Sequence, residues 1–252
     1  MRPQPLAKFA AASAGRFGLT LLSLWGTAAY ALTISPVLVE LSPGRRIVSI
    51  TIANPGDRAV TFQTQTLAWD QPDGVDRYVE TDDLIVVPPI ATIGAGGTQI
   101  LRVTTRAPAS AQEQAYRLVL EDVTELTAPS SPSSEGTAIN IRINHNLPVF
   151  VSAPGKPRPQ PRLGRCTSPT PQPSAGTGCI RLDNDGTRYL AVKSMTVDGA
   201  NLHLELKGGP RVLAGAWHQW TFDLPPKFVG TLQAKAETSA GPVNFEWPIP
   251  AR

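Results

Sequence analysis

Residues 47–69 read IVSITIANPGDRAVTFQTQTLAW, and this stretch decides the fold class. Apolar residues alternate with polar ones from Val48 to Ile52, which is the period-two pattern of a half-buried strand. The turn sequence Asn-Pro-Gly-Asp at 54–57 ends this pattern, and alternation resumes at Val60. The stretch therefore predicts two consecutive strands joined by a turn.

The same rhythm of strands and turns continues along the rest of the chain. Turn sequences occur at 70–74, 94–97, 183–186, 198–199 and 208–210, and short apolar runs lie between them. The 25 prolines and 21 glycines leave few stretches long enough for a helix. We therefore expect an all-β protein, whose 252 residues allow one large domain or two of immunoglobulin size.

One segment is ambiguous by its periodicity. Residues 109–128 contain neither Pro nor Gly and include good helix formers, yet strict alternation would place Tyr116, Leu118 and Leu120 on one face of a strand. Periodicity alone leaves helix and strand equally open. A low-complexity loop follows at 127–136.

The most distinctive strand signal comes after this loop. Ile139, Ile141 and Ile143 alternate with polar residues, and apolar character continues to Phe150. Such a run predicts either an ordinary sandwich strand with its apolar face in the core or an edge strand that awaits a partner. The Pro-rich residues 153–165 are typical of an extended linker or a first edge strand.

Residues 1–31 have the features of a secretory signal. Arg2, Lys8 and Arg16 supply its positive region, an apolar stretch follows, and Ala29–Ala31 has the small-x-small form that signal peptidase accepts. An uncleaved N-terminal anchor is the alternative. Removal of the segment leaves 20 basic side chains against 20 acidic ones, so we expect no nucleic-acid partner. The predicted compartment is oxidising, either periplasm or cell exterior.

Charge divides the remaining chain into two halves. Residues 32–155 carry a net charge of −5, and residues 156–252 carry +5. Two domains of opposite sign would attract each other across a short linker, although the division can also arise by chance.

The two cysteines predict a disulfide. Cys166 and Cys179 lie in a Pro- and Gly-rich stretch, and a disulfide closing that loop contributes roughly 3 kcal/mol by loop entropy. A metal site is not expected, because His145, His203 and His218 form no cluster with ligand spacing.

Recognisable catalytic patterns are absent from the sequence. It contains no G-x-S-x-G elbow, no H-E-x-x-H, no Walker loop and no dinucleotide fingerprint. The acidic residues between 70 and 83 could hold Ca²⁺ or serve a hydrolase, but their spacing differs from an EF-hand loop and fits a solvated hairpin. We therefore expect no enzyme activity, no cofactor and no small-molecule substrate.

A set of short motifs in the first half of the chain occurs together in a known family. They are Ser35-Pro36, the turn at Asn54, Val87-Pro88-Pro89-x-x-x-Ile93, Gln99-Ile100-Leu101-Arg102, Gln114-x-Tyr116-Arg117-Leu118 with Glu121, and Leu147-Pro148-Val149-Phe150. With them, residues 32–155 resemble the PapD-like periplasmic chaperones of the chaperone–usher pilus pathway. The Tyr-Arg-Leu and Leu-Pro-Val-Phe versions are more similar to the archaic branch, which serves spore-coat-U-like pilins. Beyond residue 155 the resemblance is one of size and strand rhythm.

The resemblance implies a fold and a domain division. Members of the family have two immunoglobulin-like β-sandwich domains in an L arrangement, here expected at residues 32–153 and 154–252. It also implies that residues 115–123 form a strand rather than a helix.

The resemblance further implies a donor-strand function. Such chaperones lend the last strand of their first domain to a pilin that lacks one, and here Ile139, Ile141 and Ile143 would fill the pilin's groove. The partners would be pilin subunits in a one-to-one complex and an outer-membrane usher. An exposed donor strand would also let the free protein cap itself by dimerising. The alternative function is a secreted β-sandwich binding or structural module of the cell surface.

The sequence departs from the family at the anchor for the pilin's C-terminal carboxylate. In the P-pilus type two cleft cations hold it, and the matching positions here are near Leu38 and on Pro148, neither of which is charged. Arg117 is the first candidate for this role, because a guanidinium binds a carboxylate bidentately, and Arg142 is the second. A structural ion pair of Arg117 with Glu121 or a neighbour is the alternative.

Overall fold

The computed structural model describes residues 32–124, 142–166, 176–207 and 209–249. Within these ranges the chain forms eighteen β-strands and one short 3-10 turn, Pro72–Gly74. No helix in the described part of the chain has the length and apolar character needed to cross a membrane. The all-β prediction is confirmed.

Ten strands build the first sandwich. They are β1 (Thr33–Ser35), β2 (Val39–Leu41), β3 (Ile47–Ala53), β4 (Val60–Asp70), β5 (Arg77–Glu80), β6 (Leu84–Val87), β7 (Ile90–Ile93), β8 (Thr98–Thr105), β9 (Gln114–Asp122) and β10 (His145–Val151). One sheet has the order β1-β3-β8-β6. The other has the order β2-β10-β9-β4-β5, and β7 also pairs with β4. The two strands predicted in residues 47–69 form as β3 and β4, and they lie in different sheets.

The core of this sandwich follows from alternation along its strands. Val48, Ile50 and Ile52 of β3 are buried, and their polar neighbours are exposed. Opposite them, Leu118 and Leu120 of β9 are buried in the same cluster. The ambiguous segment is therefore a strand, as the resemblance implied.

Eight strands build the second sandwich. They are β11 (Pro161–Arg165), β12 (Thr177–Asn184), β13 (Leu190–Gly199), β14 (Leu202–Lys207), β15 (Arg211–Val212), β16 (Trp217–Asp223), β17 (Gly230–Thr238) and β18 (Gly241–Ile249). One sheet has the order β11-β12-β16, and the other β14-β13-β17-β18, with β15 pairing β13. A separate core of buried residues lies between them, with Ile180, Leu190 and Leu232 fully buried.

The predicted disulfide joins the first two strands of this sandwich. Cys166, directly after β11, is bonded to Cys179 of β12, and their Cα atoms lie 5.5 Å apart. The Pro-rich residues before Cys166 thus lead into an edge strand, since β11 pairs with β12.

Candidate functional site

The last strand of the first sandwich has an open edge. On one side β10 pairs antiparallel with β9 along its whole length. On the other side β2 pairs in parallel with only Val149–Val151. Within the described part of the chain, residues 145–148 therefore carry main-chain groups on one edge with no partner strand. Such an edge is a template for strand addition.

The residues just before β10 continue along the end of β9. Asn144 accepts a hydrogen bond from the Asp122 main-chain N–H at 3.2 Å, and Nη2 of Arg142 donates to the Thr124 carbonyl at 3.2 Å. Between them, Ile143 leaves 51% of its surface exposed. Ile139 and Ile141 lie outside the described residues.

Arg117 lies on the outer face of the same sheet. Tyr116 and Leu118 point into the core, so Arg117 between them points away from it. Its Cζ lies 3.9 Å from the ring centroid of Trp69 and 5.6 Å from that of Tyr78, and Nη2 lies 3.5 Å from the Tyr78 hydroxyl. The guanidinium is thus held by two aromatic rings.

The guanidinium of Arg117 is incompletely satisfied. Its Nε is buried and has no hydrogen-bond partner. The alternative pairing with Glu121 does not form, since none of the ion pairs between described residues includes Arg117. Nε of Arg117 is therefore an unused donor among the described residues.

The strand register places Arg117 beside Pro148, one of the two uncharged positions where the carboxylate anchor was expected. Pro148 of β10 is the direct cross-strand partner of Arg117, so both lie on one face. Arg142 is six residues before Pro148, about 20 Å along an extended chain. The structure therefore does not bring Arg117 and Arg142 together.

An apolar cluster joins the two sandwiches at this face. Trp69, Ala115 and Phe150 of the first sandwich and Leu213 of the second are buried together, with Leu38, Tyr189 and Ala216 packed against them. The rings of Phe150 and Tyr189 stack with centroids 4.0 Å apart. Leu38, the other uncharged position, thus has a packing role.

Polar contacts flank the apolar cluster. Nε2 of Gln71 donates to the Arg211 carbonyl at 2.7 Å, and its Oε1 accepts from the Leu213 main-chain N–H at 2.8 Å. Arg188 pairs with Glu40 at 2.5 Å. This last pair joins a cation of the second sandwich to a carboxylate of the first.

Glu113 is the most deeply buried carboxyl at this interface. Only 2% of its side chain is exposed, Oε1 accepts from the Tyr189 main-chain N–H at 2.8 Å, and Oε2 lies 3.8 Å from Nε of Arg188. Burial raises its pKa to about 7, although the charge of Arg188 and the hydrogen bond from Tyr189 oppose the rise, while Glu40 adds to it.

Several acidic residues between 70 and 83 have partners within the fold. Asp70 pairs with Arg77, and Asp76 accepts hydrogen bonds from Trp69, Gln71 and Tyr78. Among the described residues no group of three or more His, Cys, Asp or Glu is arranged to hold a metal ion.

Sequence reasoning missed Gln71, Glu113 and the contacts of Arg211. Each acts across the interface between the sandwiches, and no local periodicity marks such a residue. The only available signal was the charge division, which indicated an attraction but not its residues.

Comparisons with known proteins agree with this architecture. The model of the pili and flagellar-assembly chaperone family, PapD N-terminal domain, matches residues 31–156. A search of curated proteins found no match. Among solved structures, the fold is similar to a chain of the CsuC–CsuE chaperone–tip adhesion subunit complex from the archaic Csu pili of Acinetobacter baumannii. That match has 18% identity and a TM-score of 0.61 over 87% of this chain and 98% of that one.

Two further solved structures have the same fold. One is the Salmonella enterica SafA pilin in complex with the SafB chaperone, with 16% identity, a TM-score of 0.58, and 88% and 98% of the two chains covered. The other is the E. coli chaperone DraB, with 15% identity, a TM-score of 0.54, and 87% and 99% covered. Because the family model spans half of the sequence, the chain belongs to the PapD family of pili and flagellar-assembly chaperones.

Proposed function

We propose that this chaperone binds pilus subunits in the periplasm by strand addition to the open edge of β10 and delivers them to an outer-membrane usher. Family membership supports the chaperone role. The single observation that carries the mechanism is that β2 covers only Val149–Val151 and leaves residues 145–148 without a neighbour on that side. Residues 1–31 would direct export, and the two sandwiches would be domains at 32–153 and 154–252.

The donor residues are those that precede and begin β10. Ile143 is an even number of residues from Leu147 and Val149, so an extended chain places it on the same face as these core residues. Ile139 and Ile141 have the same parity. Beyond the end of the sandwich core this apolar row would fill the groove of a subunit that lacks a strand. Complementation of this kind consumes no ATP, since a better-fitting subunit strand later replaces the donor strand.

The position of β2 limits where the added strand can end. A strand that extends along residues 142–148 meets β2 at Val39, the cross-strand partner of Val149. Arg117 lies at that point, because on the neighbouring strand β9 it is the cross-strand partner of Pro148. A cation there favours a chain end that carries a carboxylate, so the subunit strand would run parallel to β10 and finish with its C-terminus beside Arg117.

Arg117 therefore takes over the anchoring role that Leu38 and Pro148 cannot perform. Stacking on Trp69 fixes the plane of the guanidinium, and its unpartnered Nε leaves a donor for a bidentate carboxylate. Arg142 would act only near the start of the donor strand, because its guanidinium already donates to the Thr124 carbonyl.

A capture assay with matched isoleucine variants tests the proposal. The tagged chaperone is co-expressed in a periplasm with the secreted β-rich proteins encoded beside it, as wild type, Ile143→Asp and Ile100→Asp. Ile100 is the control, because it is 52% exposed but lies on β8 in the other sheet. We expect a one-to-one complex with the wild type and Ile100→Asp, and at least about tenfold less complex with Ile143→Asp.

Two results would contradict the proposal. One is equal capture by Ile143→Asp, in which case the isoleucine row is ordinary core. The other is the absence of any pilin-like partner, which would favour a binding or structural module of the cell surface.

A further inference from the structure

Arg211 lies in the second sandwich, at a position that corresponds to the position of Arg117 in the first. In β15 the neighbouring Val212 is fully buried in the second core, so Arg211 points to the opposite face. Its cross-strand partner is Ala191 of β13. Tyr189 and Leu213 each lie two residues from that pair and share its face, and both contact the first sandwich in the apolar cluster.

The same arrangement holds on the other side of the interface. Ala115 contributes to the apolar cluster, and Arg117 lies two residues further along β9 on the same face. Each sheet thus presents one row of side chains that touch the opposite sandwich. The next row of each sheet, away from the contact, carries an arginine.

Each of the two arginines has an Nε–H that no described group accepts. Nε of Arg211, like that of Arg117, is buried without a hydrogen-bond partner. Neither residue takes part in any ion pair between residues that the structure describes. Burial raises the pKa of Tyr189, and the positive charges of Arg188 and Arg211 oppose that rise. A buried, unpaired arginine donor is costly unless a ligand satisfies it.

We propose that Arg211 is the second cation of the anion site, so that the subunit's C-terminal carboxylate is held between the two domains, by Arg117 from one wall and Arg211 from the other. This inference rests on the proposed function, in which the carboxylate arrives beside Arg117. It adds that the anchor is completed by the second domain. Gln71 of the first sandwich donates to the main-chain carbonyl of Arg211, so this hydrogen bond ties β15 to the first sandwich.

Side-chain NMR of the full mature chain tests the site without a subunit. The Nε–Hε signals of the arginines are followed while sodium sulfate, a divalent oxyanion, is titrated into wild type, Arg117→Gln, Arg211→Gln and Arg211→Lys. The signals of Arg117 and Arg211 should shift together with one dissociation constant. Either glutamine variant should weaken sulfate binding about tenfold or more, and Arg211→Lys should retain part of the affinity.

Arg102→Gln is the control, since this exposed arginine lies on the other sheet and should leave the titration unchanged. The inference would be overturned if sulfate shifts only the Nε–Hε signal of Arg117 and if Arg211→Gln binds sulfate with the same affinity as the wild type.

The capture assay separates this inference from the proposed function. If the wild type captures a subunit and both Arg117→Gln and Arg211→Gln lose it, the two-domain anchor is supported. Loss with Arg117→Gln but full capture with Arg211→Gln would refute the role of Arg211 and leave strand addition intact. If the wild type captures no subunit while sulfate still binds both arginines, the anion site stands and the proposed function fails.

Discussion

Asn54 and Asn184 hold equivalent turns in the two sandwiches. Both side chains are buried, and each amide donates to three main-chain carbonyls, those of Arg58, Ile93 and Gly94 for Asn54 and those of Arg188, Val212 and Leu213 for Asn184. Each Oδ1 accepts from the glycine two residues later. The sequence contains the pattern N-x-G-x-R at both places, a repeat that would have indicated two related domains.

Replacing Asn184 with Ala should strongly destabilise the second sandwich. The variant leaves several buried main-chain groups without hydrogen-bond partners, and each such group costs about 1–3 kcal/mol. We therefore expect the free energy of unfolding to fall by at least about 3 kcal/mol. Urea unfolding measures it. Asn201→Ala, at an exposed turn between β13 and β14, should change stability by less than about 0.5 kcal/mol. Equal midpoints for the two variants would refute the role of Asn184.

Glu113 should make stability depend on pH in an unusual direction. Its pKa is about 7 in the folded protein against an ordinary value of 4.5. As pH rises through this window the unfolded chain loses the proton first, so the contribution of this group to stability is present below about pH 4.5 and falls until about pH 7. Arg188 and Glu40 are the charged groups that face it.

The measurement is urea unfolding of wild type and Glu113→Gln at pH 5 and pH 8. Relative to the variant, the wild type should lose up to about 3 kcal/mol between the two pH values. Parallel pH profiles for the two proteins would contradict the prediction.

Among the strands, β9 shows which structural features the sequence alone can predict. Its alternation placed Tyr116, Leu118 and Leu120 on one face, and these residues are buried together. Its good helix formers left a helix possible from the sequence alone. In the folded protein, the pairing of β9 with β4 and β10 outweighs this helix propensity, and the sequence does not show that pairing. The same conflict is present in β17, whose interior reads LQAKAE although Leu232, Ala234 and Ala236 alternate inward.

The functional elements were predictable to different degrees. The isoleucine pattern and Arg117 stand out in the sequence, and the resemblance gave them a role. The register that sets Arg117 against Pro148, and the early end of β2, are results of strand pairing at long sequence separation. Arg211 gives no sequence signal, since its importance depends on where the second sandwich packs.

Loss of the disulfide should loosen the edge of the second sandwich. The bond closes the loop between Cys166 and Cys179 and ties the edge strand β11 to β12. The Cys166→Ser/Cys179→Ser double variant should lose roughly 3 kcal/mol in urea unfolding. Reducing agent should lower the stability of the wild type by a similar amount and leave the variant unchanged. A variant as stable as the oxidised wild type would show that β11 needs no covalent link.

At the scale of the whole molecule, Gln71 should fix how the domains sit against each other. The Gln71→Ala variant leaves the Arg211 carbonyl and the Leu213 N–H without their partner at the interface. We expect the two domains to uncouple, so that one unfolding transition in urea becomes two and the radius of gyration from small-angle X-ray scattering increases. Gln63→Ala is the matched control, because Gln63 is exposed on β4, the strand that Gln71 directly follows. Identical scattering for wild type and Gln71→Ala would contradict this role.

Backbone amide hydrogen exchange of the chaperone, free and in its complex with the captured subunit, tests strand addition most directly. In the complex, the amides of residues 142–147 should exchange more slowly, because a new strand pairs with the open edge of β10. Residues 98–105 of β8, in the other sheet, should be unchanged. A stable complex that leaves exchange at 142–147 unaltered would contradict the account, because the subunit would then bind elsewhere on the molecule.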